Sequence, residues 1–223
     1  MKLSQTEENY LKAIYKIIEK TSKSASTNAI SKALETSPAS VTEMLKRLDD
    51  KNLLIYEKYK GVQLKPQGEK IATNLIRKHR LWEVFLVQEL NFTWDEIHPI
   101  AEQLEHIQSP ELTIALDKYL DHPKFDPHGD PIPDQEGNIT VRQQIPLIEG
   151  QLGHSYVLVG VREHSKNFLK QLENMDLILG AELKITDRFE FDQSMKVLVN
   201  GEIEQFLSQK LSSNLYVQNR KND

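Results

Sequence analysis

The chain has 223 residues, a length that predicts two or three modules instead of one small domain. No apolar run approaches the roughly 18 residues that a membrane-spanning helix needs. The N-terminal residues also lack the basic and apolar regions of a signal peptide. We therefore expect a cytoplasmic protein with no membrane partner. Because the chain contains no cysteine, disulfides and thiolate metal sites are excluded, and any metal site must use nitrogen and oxygen ligands.

Charge is unevenly distributed along the chain. The formal net charge is −5, yet residues 1–64 carry 11 Lys and Arg against 8 Asp and Glu, a balance of +3. The remaining residues have a balance of −8. The N-terminal segment is therefore the part of the chain whose charge favours a polyanionic partner such as nucleic acid.

The N-terminal segment predicts three helices and a hairpin. Apolar residues at helical spacing indicate the helices, with Thr6 as the cap of the first, Ser37 as the cap of the third and Pro38 at its first position. Two β-prone runs follow the third helix. This order is that of a winged helix-turn-helix DNA-binding domain, to which we assign residues 1–65. The predicted elements are Thr6–Glu19, Asn28–Leu34, Pro38 to about Lys51, Leu53–Tyr59 and Gly61–Pro66.

The rest of the chain predicts a helical domain, a linker and a β domain. Helical spacing continues over Pro66 to about Glu89, about Thr93 to Ile107, and Pro110 to Leu120, which suits a bundle or a dimer face over residues 66–121. Prolines concentrate between Pro123 and Pro133, so residues 122–150 are predicted to be a linker. Strand-like runs then predict a small β-barrel over residues 151–223. The expected fold class is mainly α with small β.

Six potential metal ligands lie on two of the predicted helices. His79 and Glu83 share a face of one helix because they are four residues apart. On the next helix, successive rotations of 100° place four further residues within an arc of roughly 100°. A single His is usually a surface or partly buried imidazole, but this set of imidazoles and carboxylates suits Mn²⁺, Fe²⁺, Co²⁺ or Zn²⁺. The four residues are His98, Glu102, Glu105 and His106.

Several segments resemble the DtxR/MntR family of metal-dependent repressors, in the three-part form that ends in an SH3-like, FeoA-type domain. Their shared order along nearly the full chain is more specific than any one motif. The resemblance implies a homodimer that binds a palindromic double-stranded DNA operator when its metal sites are filled, repressing genes of metal-ion uptake. The segments are EENYLKAIYKI, SPASVTEMLKRL, LLIYEKYKGVQL, RKHRLWEVFL, HPIAEQLEHIQS and DPHGDPIP.

The resemblance also implies roles for the ligands. The residues that match the primary, activating site are Glu102, Glu105 and His106. Those that match the ancillary site are His79, Glu83 and His98. The iron-responsive branch of the family has Cys in place of Glu102 and Met in place of Asn9, whereas the manganese branch has Glu and Asp there.

Two parts of the ligand set stay open. Asn9 offers only a neutral carbonyl oxygen, so Glu8 or a water is an alternative ligand from the first helix. Ligands that the iron branch takes from the third domain fall near Glu163, His164 and Asn167, of which we select His164. We interpret the other three imidazoles as structural or solvated, namely His122, His128 and His154.

The hard ligand set predicts Mn²⁺ as the activating metal, with Fe²⁺ next and Zn²⁺ or Co²⁺ as substitutes in vitro. A two-fold dimer should bind an inverted repeat. We call the predicted hairpin after the third helix the wing. We expect base or phosphate contacts from the helix that follows Ser37, and phosphate contacts from the last turn of that helix and from the wing. The first set is Ser37, Ser40, Thr42 and Lys46, and the second is Arg47, Lys58, Tyr59 and Lys60.

Two other functions fit parts of the pattern. His and Glu on adjacent helices could hold the dimetal centre of a bundle enzyme. No distinct acid, base or nucleophile accompanies them, and such an enzyme has no use for a winged helix, so we expect no enzymatic activity. A metal-independent winged-helix regulator, with the His and Glu faces as polar dimer surface, is the second alternative. Stoichiometric metal uptake would separate it from the metal-dependent regulator.

Overall fold

The computed structural model describes residues 3–57 and 60–220. They form two compact units that alternate along the chain. Packing, not chain order, defines these units, so the predicted domain bounds stay predictions. Within the described residues, no helix is long and apolar enough to cross a membrane. Unit 1 comprises Met1–His79, Glu102–Thr113 and Pro133–Ile139, and unit 2 comprises Arg80–Ala101, Ile114–Ile132 and Thr140–Asp223.

Unit 1 contains the predicted winged helix-turn-helix. Its strands pair as an antiparallel hairpin, with Leu54 opposite Leu64 and Glu57 opposite Gly61. Buried apolar residues from all three helices and the hairpin form one core, including Leu11, Ile30 and Leu45. The elements are α1 (Gln5–Thr21), α2 (Thr27–Ala33), α3 (Pro38–Asp50), β1 (Leu54–Glu57), β2 (Gly61–Leu64) and the first part of α4 (Pro66–Gln88).

The caps explain where the N-terminal helices begin. Ser4, not Thr6, caps α1, so that predicted cap is wrong. The Ser4 hydroxyl accepts a hydrogen bond from the Glu7 amide, and the Glu7 carboxylate accepts one from the Ser4 amide at 2.9 Å. This capping box satisfies two amides that the helix leaves unpaired. Ser37 caps α3 with Pro38 at its first turn, as predicted.

The next two helices differ from the prediction at their ends. They are α5 (Ile97–Leu104) and α6 (Pro110–Tyr119). The segment from Thr93 that we expected to be helical forms a turn in which the Glu96 amide donates to the Thr93 carbonyl. At the other end, Glu105 and His106 lie in a turn after α5. The helical rotation used to place them therefore stops at Leu104.

Unit 2 contains the predicted C-terminal β domain. The strands are β3 (Ile145–Pro146), β4 (Ser155–Val161), β5 (Glu182–Arg188), β6 (Met195–Val199), β7 (Ile203–Leu207) and β8 (Leu215–Asn219). They form one antiparallel sheet in the order β3-β8-β4-β5-β6-β7. Leu158, Leu183 and Val197 alternate with more exposed neighbours and lie in its core. Two short helices, α7 (Lys166–Glu173) and α8 (Gln209–Ser212), were not predicted.

Part of the Pro-rich stretch between residues 122 and 150 is packed within unit 2. Asp126, His128 and Ile132 are buried. The Arg142 guanidinium donates to the carbonyls of Gly129 and Val159, at 2.8 and 2.5 Å. These contacts hold the turn at Gly129, whose positive φ and close backbone neighbours leave no space for a Cβ.

Candidate metal and DNA-binding sites

An imidazole and two carboxylates converge in unit 1, and we call them the primary cluster: His79, Glu102 and Glu105. One ligand atom of each lies within 4.8 Å of the others. His79 Nδ1 is 2.5 Å from Glu105 Oε2 and 3.7 Å from Glu102 Oε2. The Glu105 side chain is 0% exposed. A sulfur-free set of one imidazole and two carboxylates, with His79 and Glu105 buried and Glu102 partly exposed, fits a divalent transition metal.

His106 is positioned differently from the sequence-based grouping. Its Nδ1 lies 2.6 Å from Glu8 Oε2 on α1, whereas its Nε2 lies 3.8 Å from Glu105 Oε1. Gln108 donates to the other oxygen of Glu8 at 2.7 Å. The structure thus brings His79, which we had assigned to the ancillary site, together with Glu102 and Glu105. It places His106 between these carboxylates and α1.

Asn9 carries a second indication of a ligand site. Its side-chain oxygen is buried without a hydrogen-bond partner in the described part of the chain. Buried polar atoms are nearly always paired, and a bound cation is one group that would satisfy this oxygen. Glu8, the alternative from the same helix, is already engaged by His106 and Gln108. The donor chemistry of unit 1 therefore fits a divalent metal ion.

Sequence analysis missed a cation beside the primary cluster. Lys12 Nζ donates to both oxygens of Glu102, at 2.8 and 2.7 Å, and to Glu105 Oε1 at 2.5 Å. Its side chain is only 8% exposed. Lys12 is four residues after Glu8, and this spacing on one face of α1 was the available signal. Lys78 is also near: burial lowers its pKa, opposed by the carboxylates of Glu8 and Glu105.

A further group, which we call the unit 2 cluster, consists of Glu83, Asp126 and His128. All three are buried, and one ligand atom of each lies within 4.8 Å of the others. Burial, reinforced by Asp130 and Glu83, raises the pKa of Asp126 well above its usual value. Burial lowers the pKa of His128. A charged carboxylate in this place needs a compensating cation, and Arg80 Nε, 3.5 Å from Asp126 Oδ2, supplies one positive charge beside the three acidic groups.

Two predicted ligands lie beside the unit 2 cluster. His98 Nδ1 is 3.3 Å from Glu83 Oε1. The ring of His164 stacks on His128 with 4.9 Å between centroids. His128 Nε2 lies 2.9 Å from the Trp94 carbonyl, and a proton on that nitrogen leaves Nδ1 able to bind a metal. The sequence interpretation of His128 as structural or solvated took no account of Asp126, two residues away.

The predicted DNA-contacting side chains lie on α3 and the wing. Ser37, Ser40, Lys46 and Arg47 are exposed, and Thr42 is half-buried. The Ser37 and Ser40 hydroxyls are 2.9 Å apart, and the Thr42 hydroxyl donates to the Pro38 carbonyl.

Acidic neighbours engage two of the predicted phosphate contacts. Arg47 pairs with Glu43 at 2.6 Å, and Lys60 pairs with Glu57 at 2.6 Å. Lys58 and Tyr59 lie outside the described residues.

Three family models match consecutive parts of the chain. "Iron dependent repressor, N-terminal DNA binding domain" matches residues 2–62. "Iron dependent repressor, metal binding and dimerisation domain" matches residues 65–134. "FeoA domain" matches residues 145–219. The three segments are those in which the sequence predicts a DNA-binding, a helical and a β domain.

Curated relatives include regulators of both iron and manganese type. The regulator MntR of Geobacillus thermodenitrificans is 35% identical, over 48% of this chain and 86% of the relative. The diphtheria toxin repressor of Corynebacterium jeikeium is 33% identical, over 59% of this chain and 54% of the relative. The chain thus spans about half the length of the iron-type relatives that it matches.

Solved structures match almost the whole chain. A manganese-dependent transcriptional repressor in complex with manganese has a TM-score of 0.85 at 28% identity, covering 96% of this chain and 99% of the other. ScaR with bound Cd²⁺ has a TM-score of 0.75 at 35% identity, with the same coverage. The fold is that of these solved metal-dependent transcriptional repressors. The chain belongs to the DtxR/MntR family, which is a family of regulators and not of enzymes.

Proposed function

We propose that this protein is a repressor that binds operator DNA as a homodimer when a divalent metal occupies the primary cluster. One observation carries the proposal. In unit 1, the ligands at α4 and the end of α5 are linked to α1 of the winged helix through the contact of His106 with Glu8. A metal held by these residues would favour one position of α1 and so bias the winged helix towards its DNA-binding arrangement.

The required coupling is modest. A metal that binds the DNA-competent arrangement about 1–3 kcal/mol more favourably raises operator affinity about 5- to 150-fold. Homodimer formation is supported by the match of residues 65–134 to the model of a metal binding and dimerisation domain. A two-fold dimer presents two α3 helices, which implies an inverted repeat.

Mn²⁺ is the proposed activator, with Fe²⁺ next. Affinity alone would favour Zn²⁺ over Mn²⁺ at almost any nitrogen and oxygen site. Selection must therefore use coordination number, and carboxylates such as Glu102 and Glu105 support the oxygen-rich shell that Mn²⁺ accepts. An iron-dependent repressor and a manganese-dependent repressor both match the chain, so the ligand chemistry is the basis of this choice.

The unit 2 cluster supports a second metal position. Its carboxylates and imidazole are buried around a common centre, and His98 and His164 lie at its edge. We assign it a structural or regulatory ion of the same class. The predicted ligands would then serve two separate positions, with His79, Glu102 and Glu105 in unit 1 and Glu83, His98 and His164 in unit 2.

Metal choice can be tested with a DNA duplex selected from a random library in the presence of Mn²⁺. Operator affinity is measured with Mn²⁺, anaerobic Fe²⁺ and Zn²⁺, for the wild type and for Glu102→Cys. We expect Mn²⁺ to be the most effective activator of the wild type and to lose that advantage in Glu102→Cys, because a thiolate favours softer metals. The control is Glu111→Cys, which adds a thiol on α6.

Two outcomes of this experiment would contradict parts of the proposal. Activation of the wild type by Fe²⁺ and not by Mn²⁺ would show that ligand hardness does not determine the choice of metal. Equal operator affinity with and without every metal would instead favour a metal-independent winged-helix regulator.

A further inference from the structure

The ammonium group of Lys12 lies where a metal ion would need its ligands. It contacts both oxygens of Glu102 and one oxygen of Glu105 within 2.8 Å. These carboxylates also belong to the primary cluster. Lys12 comes from α1, so its contacts tie the winged helix to the residues at the end of α5. The side chain is buried, which strengthens these charge-assisted bonds.

An ammonium and a divalent ion compete for these oxygens. Both would lie within a few ångströms of the same carboxylates, where two cations repel each other. Lys12 engages both oxygens of Glu102 and one of Glu105, which reduces what these carboxylates can offer to a metal. We therefore expect metal binding to displace Lys12 from Glu102 and Glu105.

We propose that Lys12 is a tethered competitor that fills the primary cluster of the metal-free protein and thereby sets the metal concentration at which the repressor is activated. The inference rests on the proposed function, since it takes the primary cluster as the activating site. In the metal-free chain, Lys12 neutralises the carboxylates of Glu102 and Glu105. Without this pairing, the negative charge of the fully buried Glu105 would destabilise the fold. Metal binding then replaces the link that Lys12 forms between α1 and the primary cluster with a link through the metal.

Competition by Lys12 weakens the apparent affinity for metal, because only the molecules whose cluster Lys12 has left can bind it. The apparent Kd equals the intrinsic Kd divided by the fraction of such molecules. If Lys12 occupies the cluster in about nine-tenths of the molecules, its removal strengthens metal binding about tenfold. A second lysine provides a matched control. Lys78 is buried near Glu105 and Glu8, but its ammonium donates to the Ile107 carbonyl at 3.4 Å.

The first test measures Mn²⁺ binding isotherms of the full chain for the wild type, Lys12→Met, Lys12→Arg and Lys78→Met. We expect Lys12→Met to bind Mn²⁺ at least about tenfold more tightly, because the methionine has similar bulk and no charge. Lys12→Arg keeps a competing cation and should stay within about threefold of the wild type. Lys78→Met should gain clearly less than Lys12→Met. Unchanged or weaker binding by Lys12→Met, or an equal gain in Lys78→Met, overturns the proposal.

The second test uses the wild type, so it does not depend on the folding of a variant. Lysines are acetylated with a limiting amount of an amine-selective reagent, with and without saturating Mn²⁺, and quantified by mass spectrometry. Displacement predicts that Mn²⁺ increases acetylation of Lys12 at least about threefold more than that of Lys78, because an ion-paired, buried ammonium is a poor nucleophile. Lys12 reactivity that Mn²⁺ leaves unchanged or reduces contradicts displacement.

The failure of this inference can be distinguished from failure of the proposed function. If the wild type takes up no Mn²⁺, the proposed function fails. If the wild type binds Mn²⁺ through Glu105 but Lys12→Met gains nothing, only the role of Lys12 is wrong.

Discussion

Glu105 is the residue on which the primary cluster depends most. Its carboxylate is fully buried, and its two oxygens face different partners, His79 on one side and Lys12 on the other. A buried carboxylate is unfavourable unless it is paired and hydrogen-bonded. The cluster therefore needs a cation near this position in every state of the protein, either the ammonium group or a metal.

Replacing Glu105 tests this dependence. Glu105→Gln keeps the shape but removes the charged ligand, so Mn²⁺ affinity at the primary cluster should fall at least about 100-fold, the upper range seen even for supporting groups of metal sites. Binding isotherms measure the effect, and circular dichroism verifies the fold. Glu111→Gln, on an exposed acidic residue of α6, is the control. Wild-type affinity in Glu105→Gln would place the activating ion elsewhere.

Trp94 provides a separate reporter for the unit 2 cluster. The chain has two tryptophans, so Trp82→Phe leaves Trp94 alone, with its ring stacked 6.2 Å from that of His128. Paramagnetic Mn²⁺ bound at the unit 2 cluster should quench Trp94 fluorescence. In this background, Asp126→Asn should shift the titration to at least about tenfold higher Mn²⁺.

The matched variant for this titration is Asp130→Asn. Both Asp126 and Asp130 contact Arg80, but only Asp126 belongs to the cluster. The Asp126 carboxylate accepts hydrogen bonds from the backbone amides of His128 and Asp130. Asp126→Asn keeps a side-chain oxygen that can accept both. Fluorescence that does not respond to Mn²⁺, or an equal shift in both variants, would argue against a metal at this position.

The types of the ligands and the helices that carry them were predictable from sequence. Spacing on a helix shows which residues share a face, and it singled out His79, Glu102 and Glu105. It does not show which residues meet across two helices. The rotation that placed His106 on the face of Glu102 does not apply after α5 ends at Leu104. Lys12 was missed because its partners are about 90 residues away in the chain.

At the scale of elements, α3 carries basic side chains that would attract DNA phosphates and an acidic side chain that would repel them. Arg47 and Glu43 form an exposed ion pair one helical turn apart, and Lys46 is exposed beside them. Such pairs contribute little to stability. Phosphate and Glu43 would compete for the same guanidinium.

The competition predicts opposite effects of two changes on α3. Replacing Lys46 and Arg47 together with Ala should abolish metal-dependent operator binding while leaving Mn²⁺ affinity nearly unchanged, because both side chains act on DNA and not on the metal. Glu43→Gln should strengthen operator binding a few-fold and make it more sensitive to salt. Fluorescence anisotropy measures each. Full operator affinity in the double variant would contradict the role assigned to α3.

The start of a helix could be predicted where the sequence offers a single candidate for the N-terminal cap. Ser37 and Pro38 marked the start of α3. At α1 both Ser4 and Thr6 are suitable caps, and only the reciprocal bond with Glu7 decides for Ser4. The short helix α7 was missed because it has eight residues between longer strand signals, and the packing of Leu169 and Leu172 stabilises it.

At the scale of the whole molecule, the sequence predicted the order of the modules and the family, but not the two compact units. Hydrophobic periodicity reports local structure. It does not report that residues 102–113 pack with the N-terminal residues while Arg80–Ala101 belongs to the other unit. That division places the primary cluster in the same unit as the winged helix. This shared unit is the basis on which we propose that metal binding is coupled to DNA binding.

The most direct test of that coupling is the affinity of the wild-type protein for its selected DNA duplex with saturating Mn²⁺ and with a chelator, at one fixed salt concentration. Affinities are comparable only at constant salt, because phosphate contacts dominate the binding. The account predicts an affinity about 5- to 150-fold higher with Mn²⁺, and no such difference in Glu105→Gln. Equal affinity of the wild type in Mn²⁺ and in chelator would contradict it.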